Sequence, residues 1–231
     1  MSHIHLIGGE KGGVGKSVVA RLLAQAMIDR SLPFAAIDGD GSHAVLVRHY
    51  KDFTQAIDLA NAESADQIVD RALGAERRVL VDLPAQSARA LESWLAEANV
   101  LQFAKEMGIA LTFWHVSDGG FSSVTEIERT LRLLGARTRH VVVKNFGRSK
   151  DFSQFDASEA RRLLDGLSGQ VLELPELDSA TMYGIDRLGL SFWAAVHASE
   201  GEAALKALER QRVKLWLERC YSRIDALDGA L

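Results

Sequence analysis

Within its first seventeen residues the chain passes from an apolar run, through a cluster of glycines, into a segment of helical period. The stretch reads His3-Ile4-His5-Leu6-Ile7-Gly8-Gly9-Glu10-Lys11-Gly12-Gly13-Val14-Gly15-Lys16-Ser17. This order of strand, glycine-rich turn and helix limits the possible folds more than any other feature of the sequence. Gly12, Gly13 and Gly15 permit positive φ and allow several backbone N–H groups to surround one concavity. A helix starting near Lys16 aims its dipole and its unpaired N–H groups at the same point, where an anion is favoured. Lys16 then reaches the β- and γ-phosphates of a nucleotide, and the Ser17 hydroxyl ligates Mg²⁺.

The remainder alternates β-rich apolar runs with helical patterns. Strands are predicted at His3–Ile7, Phe34–Ile37, Val79–Val81, Ile109–Val116 and His140–Val143, with a weaker one at Gln170–Leu174. Val19, Leu22, Leu23, Ala26 and Met27 fall on one helical face. Reciprocal caps are expected at Ser64 with Gln67, at Ser123 with Glu126 and, in a looser form, at Asp156 with Glu159. Alternation of this kind implies right-handed crossovers and an α/β fold whose mostly parallel sheet lies between helices. Pro33, Pro84 and Pro175 sit at strand edges, where a missing N–H costs little. No repeat or low-complexity linker interrupts the pattern, so one domain is expected over 1–231.

Composition excludes several classes. Twenty-seven basic and 31 acidic residues give a net charge of −4, which argues against a chain coated in basic charge for nucleic acid. The lone Cys220 excludes a disulfide framework and a four-cysteine zinc site. No apolar run approaches the roughly 18 residues of a membrane span. Glu10 and Lys11 interrupt the N-terminal apolar stretch too early for a secretory signal, so a cytoplasmic location is expected. The histidines lack metal-ligand spacing: His3 and His5 are two apart, His43 and His49 six apart. Trp94, Trp114, Trp193 and Trp216 are expected to pack the core.

Two further carboxylate clusters follow strands. Asp38-Gly39-Asp40-Gly41-Ser42 comes after the second strand, where ligands of open parallel sheets bind, although two acids round a glycine also suit a plain turn. Arg78-Val79-Leu80-Val81-Asp82-Leu83-Pro84 runs through a buried strand to a carboxylate at its end, the layout of a Walker B site. Asp82 there holds Mg²⁺ through water. Ser117-Asp118-Gly119-Gly120 also falls at a strand end, with no specific role implied.

Glu10 stands where the first glycine of the pattern G-x-x-x-x-G-K-[ST] is expected, and Lys11 to Ser17 reads K-G-G-V-G-K-S with two lysines. This resembles the deviant Walker A motif of the ParA/MinD family of P-loop ATPases. The resemblance implies a three-layer P-loop NTPase fold that binds ATP or ADP with Mg²⁺ and hydrolyses ATP slowly. It implies an ATP-dependent homodimer in which Lys11 reaches the nucleotide of the other subunit. Catalytic roles then go to Lys11, Lys16 and Asp40, the last orienting the attacking water. Nucleotide contacts go to Gly12, Gly13, Val14, Gly15, Lys16, Ser17 and Val18, and metal contacts to Ser17, Asp38 and Asp82. Asn145 lies where relatives often read the base, but an asparagine before Gly147 also suits a turn.

The departures are Gly41 where relatives often carry proline, Val18 where many carry threonine, and a short interval from Asp40 to Asp82. That interval implies a reduced or rebuilt partner surface. The resemblance further implies a protein partner that stimulates hydrolysis and a role in plasmid partition, stability or mobilisation. With the motif strand beginning so near Met1, no N-terminal DNA-binding extension is expected. A long C-terminal helix is predicted from about Glu202 to Leu227. Between Lys206 and Arg223 it carries six bases and two acids, a net of +4 against −8 for the rest of the chain. Packing on the sheet with a solvated basic face is the favoured reading, and non-specific DNA or, less favoured, a membrane surface is the alternative. Two other functions fit the loop: a metabolic amidase or ligase of the cobyrinic acid amidase or dethiobiotin synthetase type, which does not need Lys11, and a weakly hydrolysing nucleotide-gated scaffold.

Overall fold

The computed structural model describes residues 2–9, 11–40, 44–74, 77–199, 204–229 and 231. Glu10, Gly41, Ser42, His43 and Glu202, all named above, lie outside the described residues. Seven strands form one sheet: β1 (His3–Gly8), β2 (Phe34–Asp38), β3 (Thr54–Ala56), β4 (Arg78–Asp82), β5 (Ala110–Ser117), β6 (Arg139–Asn145) and β7 (Gln170–Leu174). Their order is β3-β2-β4-β1-β5-β6-β7, and every pairing is parallel. The helices are α1 (Lys16–Asp29), α2 (Val45–His49), α3 (Ala62–Leu73), α4 (Ala88–Glu97), α5 (Val100–Glu106) and α6 (Phe121–Leu134). After them come α7 (Ser153–Asp156), α8 (Glu159–Gly166), α9 (Ser179–Leu188), α10 (Phe192–His197) and α11 (Ala207–Asp225).

All six predicted strands are present, most of them extended by a residue at one end or both. β3 escaped prediction because three residues at a sheet edge carry no readable alternation. The predicted caps are displaced. Asn61 caps α3 by accepting the Ser64 N–H at 2.9 Å, which puts Ser64 inside the first turn. Gly120 precedes α6, and the Ser123 hydroxyl donates to Asp118 Oδ1 at 2.7 Å instead of capping. Ser158 caps α8, whereas Asp156 ends α7 and accepts from Lys144 at 2.6 Å. A Ser-x-x-Glu spacing inside a first turn looks the same in sequence as one at its border.

Burial explains why the elements assemble as they do. α1 has more than one buried face: besides Val19, Leu22, Leu23, Ala26 and Met27, it buries Arg21 and Gln25. Gln25 Oε1 accepts from the Tyr50 hydroxyl at 3.1 Å and from the Trp193 N–H at 2.9 Å, which ties α1 to α2 and α10. α11 closes the same side, with Trp216 buried against Phe192 at 5.1 Å between ring centroids. Trp216 Nε1 donates to Pro175 O at 2.7 Å. The opposite face of the sheet is covered by α3 to α6 through residues such as Leu91, Trp94, Leu101 and Leu134.

Two expectations fail here. The last helix starts at Ala207 because Lys206 is its N-cap, with the Lys206 N–H donating to Glu209 Oε2 at 2.8 Å, and residues 204–206 are not helical. Trp193 is 55% exposed and stacks on His197 rather than filling the core. The other three tryptophans are buried. Among the described residues no helix is long and apolar enough to cross a membrane. Trp216→Ala is expected to cost about 3–5 kcal/mol and Trp193→Ser less than about 1 kcal/mol in urea unfolding, because only the first leaves a cavity.

Candidate functional site

β1 lies between β4 and β5, where the strand order reverses, and a crevice opens at the carboxyl ends of such strands. The glycine-rich turn leaves β1 at this place. Gly13 and Gly15 take φ of 80° and 104°, whereas Gly12 does not use the left-handed region. At Gly15 the need for glycine is absolute on two counts: the positive φ, and a Cβ that would stand 2.2 Å from Asn145 Nδ2. That amide donates to Val14 O at 2.7 Å, and Asn145 Oδ1 accepts from the Gly147 N–H at 3.0 Å. Asn145 therefore ties the end of β6 to the loop, and its bond from the Gly147 N–H is one that a turn asparagine makes.

α1 begins after Gly15 with no side-chain cap, so its first-turn N–H groups face the loop concavity. Lys16 is folded back over the loop, donating to Gly9 O at 2.8 Å and more weakly to Lys11 O at 3.4 Å. Lys11 lies on the loop surface, half exposed, and pairs with Asp118 Oδ2 at 2.5 Å. The two lysines thus make separate contacts.

The carboxylates converge on the same crevice. Asp82 is in register with Ile7 on one side and Asp38 on the other. Burial pushes the Asp82 carboxyl up to about 7, the nearby Asp38 adds to the rise, and the Ser17 hydroxyl, Lys16 and Arg21 oppose it. Its Oδ1 is buried and has no hydrogen-bond partner among the described residues. Asp38 accepts the N–H groups of Asp40 at 3.1 Å, Leu46 at 2.7 Å and Val47 at 3.2 Å. Burial raises its pKa against those bonds. It thus anchors the start of α2 and the turn that carries Asp40.

One cleft brings together Gly12, Gly13, Gly15, Lys16, Ser17, Val18, Asp40 and Asp82. Lys11, Val14, Asp38 and Asn145 do not line it; Val14 and Asn145 are buried. Sequence reasoning missed three arginines on its wall: Arg21, Arg48 and Arg148. Arg21 is buried, pairs with Asp186 at 2.7 Å and lies 5.3 Å from the Phe192 ring centroid. Its signal was an arginine within an otherwise apolar helix, Val18-Val19-Ala20-Arg21-Leu22-Leu23. Arg48 and Arg148 carry no comparable signal.

An unpartnered, buried carboxylate oxygen beside a hydroxyl is a donor set that suits a small hard cation, so Ser17 and Asp82 fit Mg²⁺. The histidines do something else. His3 and His5 stack at 4.1 Å in the sheet, and burial lowers His3 to about 4. His49 Nδ1–H donates to Val45 O at 2.8 Å.

No protein-family model matches the chain. Protein TraL of Escherichia coli is 27% identical to it, across 98% of both chains. Protein MobD of Acidithiobacillus ferrooxidans is 25% identical over 75% of this chain and 78% of its own length. Among solved structures, the MinD cell division protein of Aquifex aeolicus superposes with a TM-score of 0.54 at 14% identity, covering 96% of this chain and 97% of that one. A nucleotide-binding protein of Archaeoglobus fulgidus, solved with ADP, gives a TM-score of 0.54 at 16% identity over 81% and 86% of the chains. The cell division ATPase MinD of Pyrococcus furiosus gives 0.52 at 18% identity over 95% and 99%. The fold is that of the MinD structures. The resemblance read from Lys11 to Ser17 is thus borne out at the level of the fold, and the expected mostly parallel sheet is wholly parallel.

This fold gives Asp82 a testable electrostatic signature. Its folded-state pKa is raised from 3.8 to about 7, so the folded protein holds the proton more tightly than the unfolded chain. The metal-free protein is therefore expected to lose stability as pH rises through that interval. Asp82→Asn is expected to stabilise the metal-free protein at pH 8 by about 1–3 kcal/mol, because it removes a buried charge. The same variant is expected to lose any Mg²⁺-dependent rise in Tm. Urea and thermal melts at pH 5 and pH 8, with and without Mg²⁺, check both signs.

Proposed function

We propose that this chain is an ATP-binding, ParA/MinD-like ATPase whose bound nucleotide sets its state of association. The observation that carries the reading is the meeting of the glycine loop with the buried, half-unpartnered Asp82 at the reversal of strand order. In this reading, N–H groups from Gly12 to Val18 hold the phosphates. Lys16 leaves Gly9 O for the β- and γ-phosphates and balances charge there. Ser17 and Asp82 hold Mg²⁺, which neutralises phosphate charge when bound. Asp38, with its carboxylate spent on backbone N–H groups, acts as a positioning residue for the turn that carries Asp40. Asp40, on the cleft wall, orients water for in-line attack on the γ-phosphorus.

Dimerisation of two such chains brings polyanions together, and Lys11 of each supplies a cation to the facing copy. A nucleotide that is bound more tightly by the dimer than by the monomer shifts the population towards the dimer. Hydrolysis to ADP and phosphate reverses that bias. A partner that stimulates hydrolysis then sets the lifetime of the dimer. The full-length match to protein TraL and the partial match to protein MobD support a setting in plasmid partition, stability or mobilisation. α11 spends one face on the core through Val213, Trp216, Leu217, Cys220 and Ile224, Arg210 and Arg223 are engaged by Ala198 O and Glu173, and non-specific DNA rather than a membrane is the alternative partner for the solvated bases that remain.

Calorimetry and light scattering test the cycle. Lys16→Ala is expected to lose nucleotide affinity by at least tenfold, the scale of about 1.4 kcal/mol from one charge-assisted contact. Lys11→Ala is expected to keep that affinity but to remain monomeric with a non-hydrolysable ATP analogue and Mg²⁺. Asp40→Ala is expected to dimerise and to lose phosphate release by about a hundredfold or more. Unchanged ATP affinity in Lys16→Ala removes the loop assignment. ADP production that requires an added small carboxylic acid marks the amidase or ligase reading instead.

A further inference from the structure

The turn between β5 and α6, Ser117-Asp118-Gly119-Gly120, holds an acid against the first lysine of the glycine loop. Asp118 is fixed by bonds other than the one to Lys11. Its Oδ1 accepts the Gly120 N–H at 3.1 Å and the Ser123 hydroxyl at 2.7 Å, which leaves Oδ2 pointing out of the turn for Lys11 Nζ at 2.5 Å. The turn itself is braced. Ser117 Oγ accepts the Gly119 N–H at 3.0 Å, and Gly119, at φ 77°, packs so tightly that a Cβ would stand 2.5 Å from Asp151 O. Among the described residues, the bond to Asp118 is the only hydrogen bond of the Lys11 ammonium. Burial pushes Asp118 up, but Lys11, Ser123 and Gly120 together hold it below the usual carboxylate range.

We propose that Asp118 is a latch on Lys11: it holds that ammonium within its own subunit until the phosphates of a nucleoside triphosphate in a facing second copy draw it away. This inference rests on the reading of Lys11 as a cation supplied to the other subunit. The physical ground is competition for one charge. A lysine ammonium has three donors, but in a short ion pair its charge is already partly neutralised, so a second anion gains less from it and a denser anion competes best for it. A triphosphate carries more charge than a diphosphate, so the latch raises the threshold for association and keeps copies without a triphosphate apart. Because Lys11 is half exposed, the ion pair is weak enough to be broken at each cycle.

Asp118→Asn tests the latch with little change of shape, since the asparagine oxygen still accepts from Gly120 and Ser123. Light scattering with Mg²⁺ and a non-hydrolysable ATP analogue compares this variant with the wild type and with Lys11→Ala. The expected result is half-maximal dimerisation at about two- to fivefold lower protein concentration per released latch, the range set by a partly exposed ion pair. An unchanged midpoint overturns the proposal. So does a raised midpoint, which would mark Asp118 as a group that presents Lys11 to the partner. A second readout uses carbon-13 dimethylated lysines, with the Lys11 signal assigned through Lys11→Arg. In the wild type that signal is expected to move on addition of the analogue, away from its position in the nucleotide-free protein; a stationary signal in a protein that dimerises overturns the latch. A wild-type protein that never dimerises with the analogue removes the proposed function and the latch together. Intact wild-type dimerisation with an Asp118→Asn midpoint unmoved removes the latch alone. Analogue affinity measured by calorimetry on Asp118→Asn establishes that the variant is folded.

Discussion

Asp82 is a carboxylate inside the protein with one oxygen unpaired, and three strand ends are built round it. β1 and β2 flank β4 so that Ile7 and Asp38 stand beside Asp82, and the Leu83 N–H and the Gly39 N–H are spent on Ile7 O and Asp82 O at 3.0 and 2.9 Å. The cost of such a group is tolerated where it is recovered by a ligand, and a hard cation recovers it best. The surrounding charges are arranged for partial relief only: Ser17, Lys16 and Arg21 favour the ionised form, burial and Asp38 oppose it. The raised pKa of Asp82 makes cation binding and proton release two sides of one equilibrium.

The loop beside it is held by the burial of Val14 in the core and by a side-chain tie to its backbone. Asn145 reaches from β6 to Val14 O, and the space that Gly15 leaves empty is the space the amide occupies. Strand β6 and helix α1 thereby fix the loop from opposite sides. α1 in turn is enclosed by α2, α9, α10 and α11 through Gln25, Arg21 and the cluster round Trp216. A preorganised loop on a clamped helix lets ligand affinity go into charge stabilisation instead of ordering.

Much of this was legible in the sequence, and for identifiable reasons. Strand, glycine turn and helix are local features, so the loop and β1, β2 and β4 follow from residue order alone. Walker-type acids at strand ends are legible for the same reason. The helix borders were less so, because Ser64, Ser123 and Asp156 stand one turn or less from the true caps, and spacing cannot tell the two apart. Trp193 was misplaced because an aromatic next to buried Phe192 has no sequence mark of its outward orientation. Arg21, Arg48 and Arg148 come to one cleft from α1, α2 and the segment after β6, and such convergence belongs to the fold rather than to any window of sequence.

The two lysines of the loop show how one motif yields two chemistries through differences in burial. Lys16 is buried, donates to the carbonyls of Gly9 and Lys11, and lies within electrostatic reach of Asp82. Lys11 is half exposed and faces a full carboxylate, so an incoming anion must displace a formal charge. The first arrangement favours binding within one subunit, and the second favours a response only to strong, concentrated negative charge. In the proposed cycle, a loop with one lysine of each kind separates holding a nucleotide from reporting it, and the acid that makes the difference comes from β5–α6, more than a hundred residues along the chain.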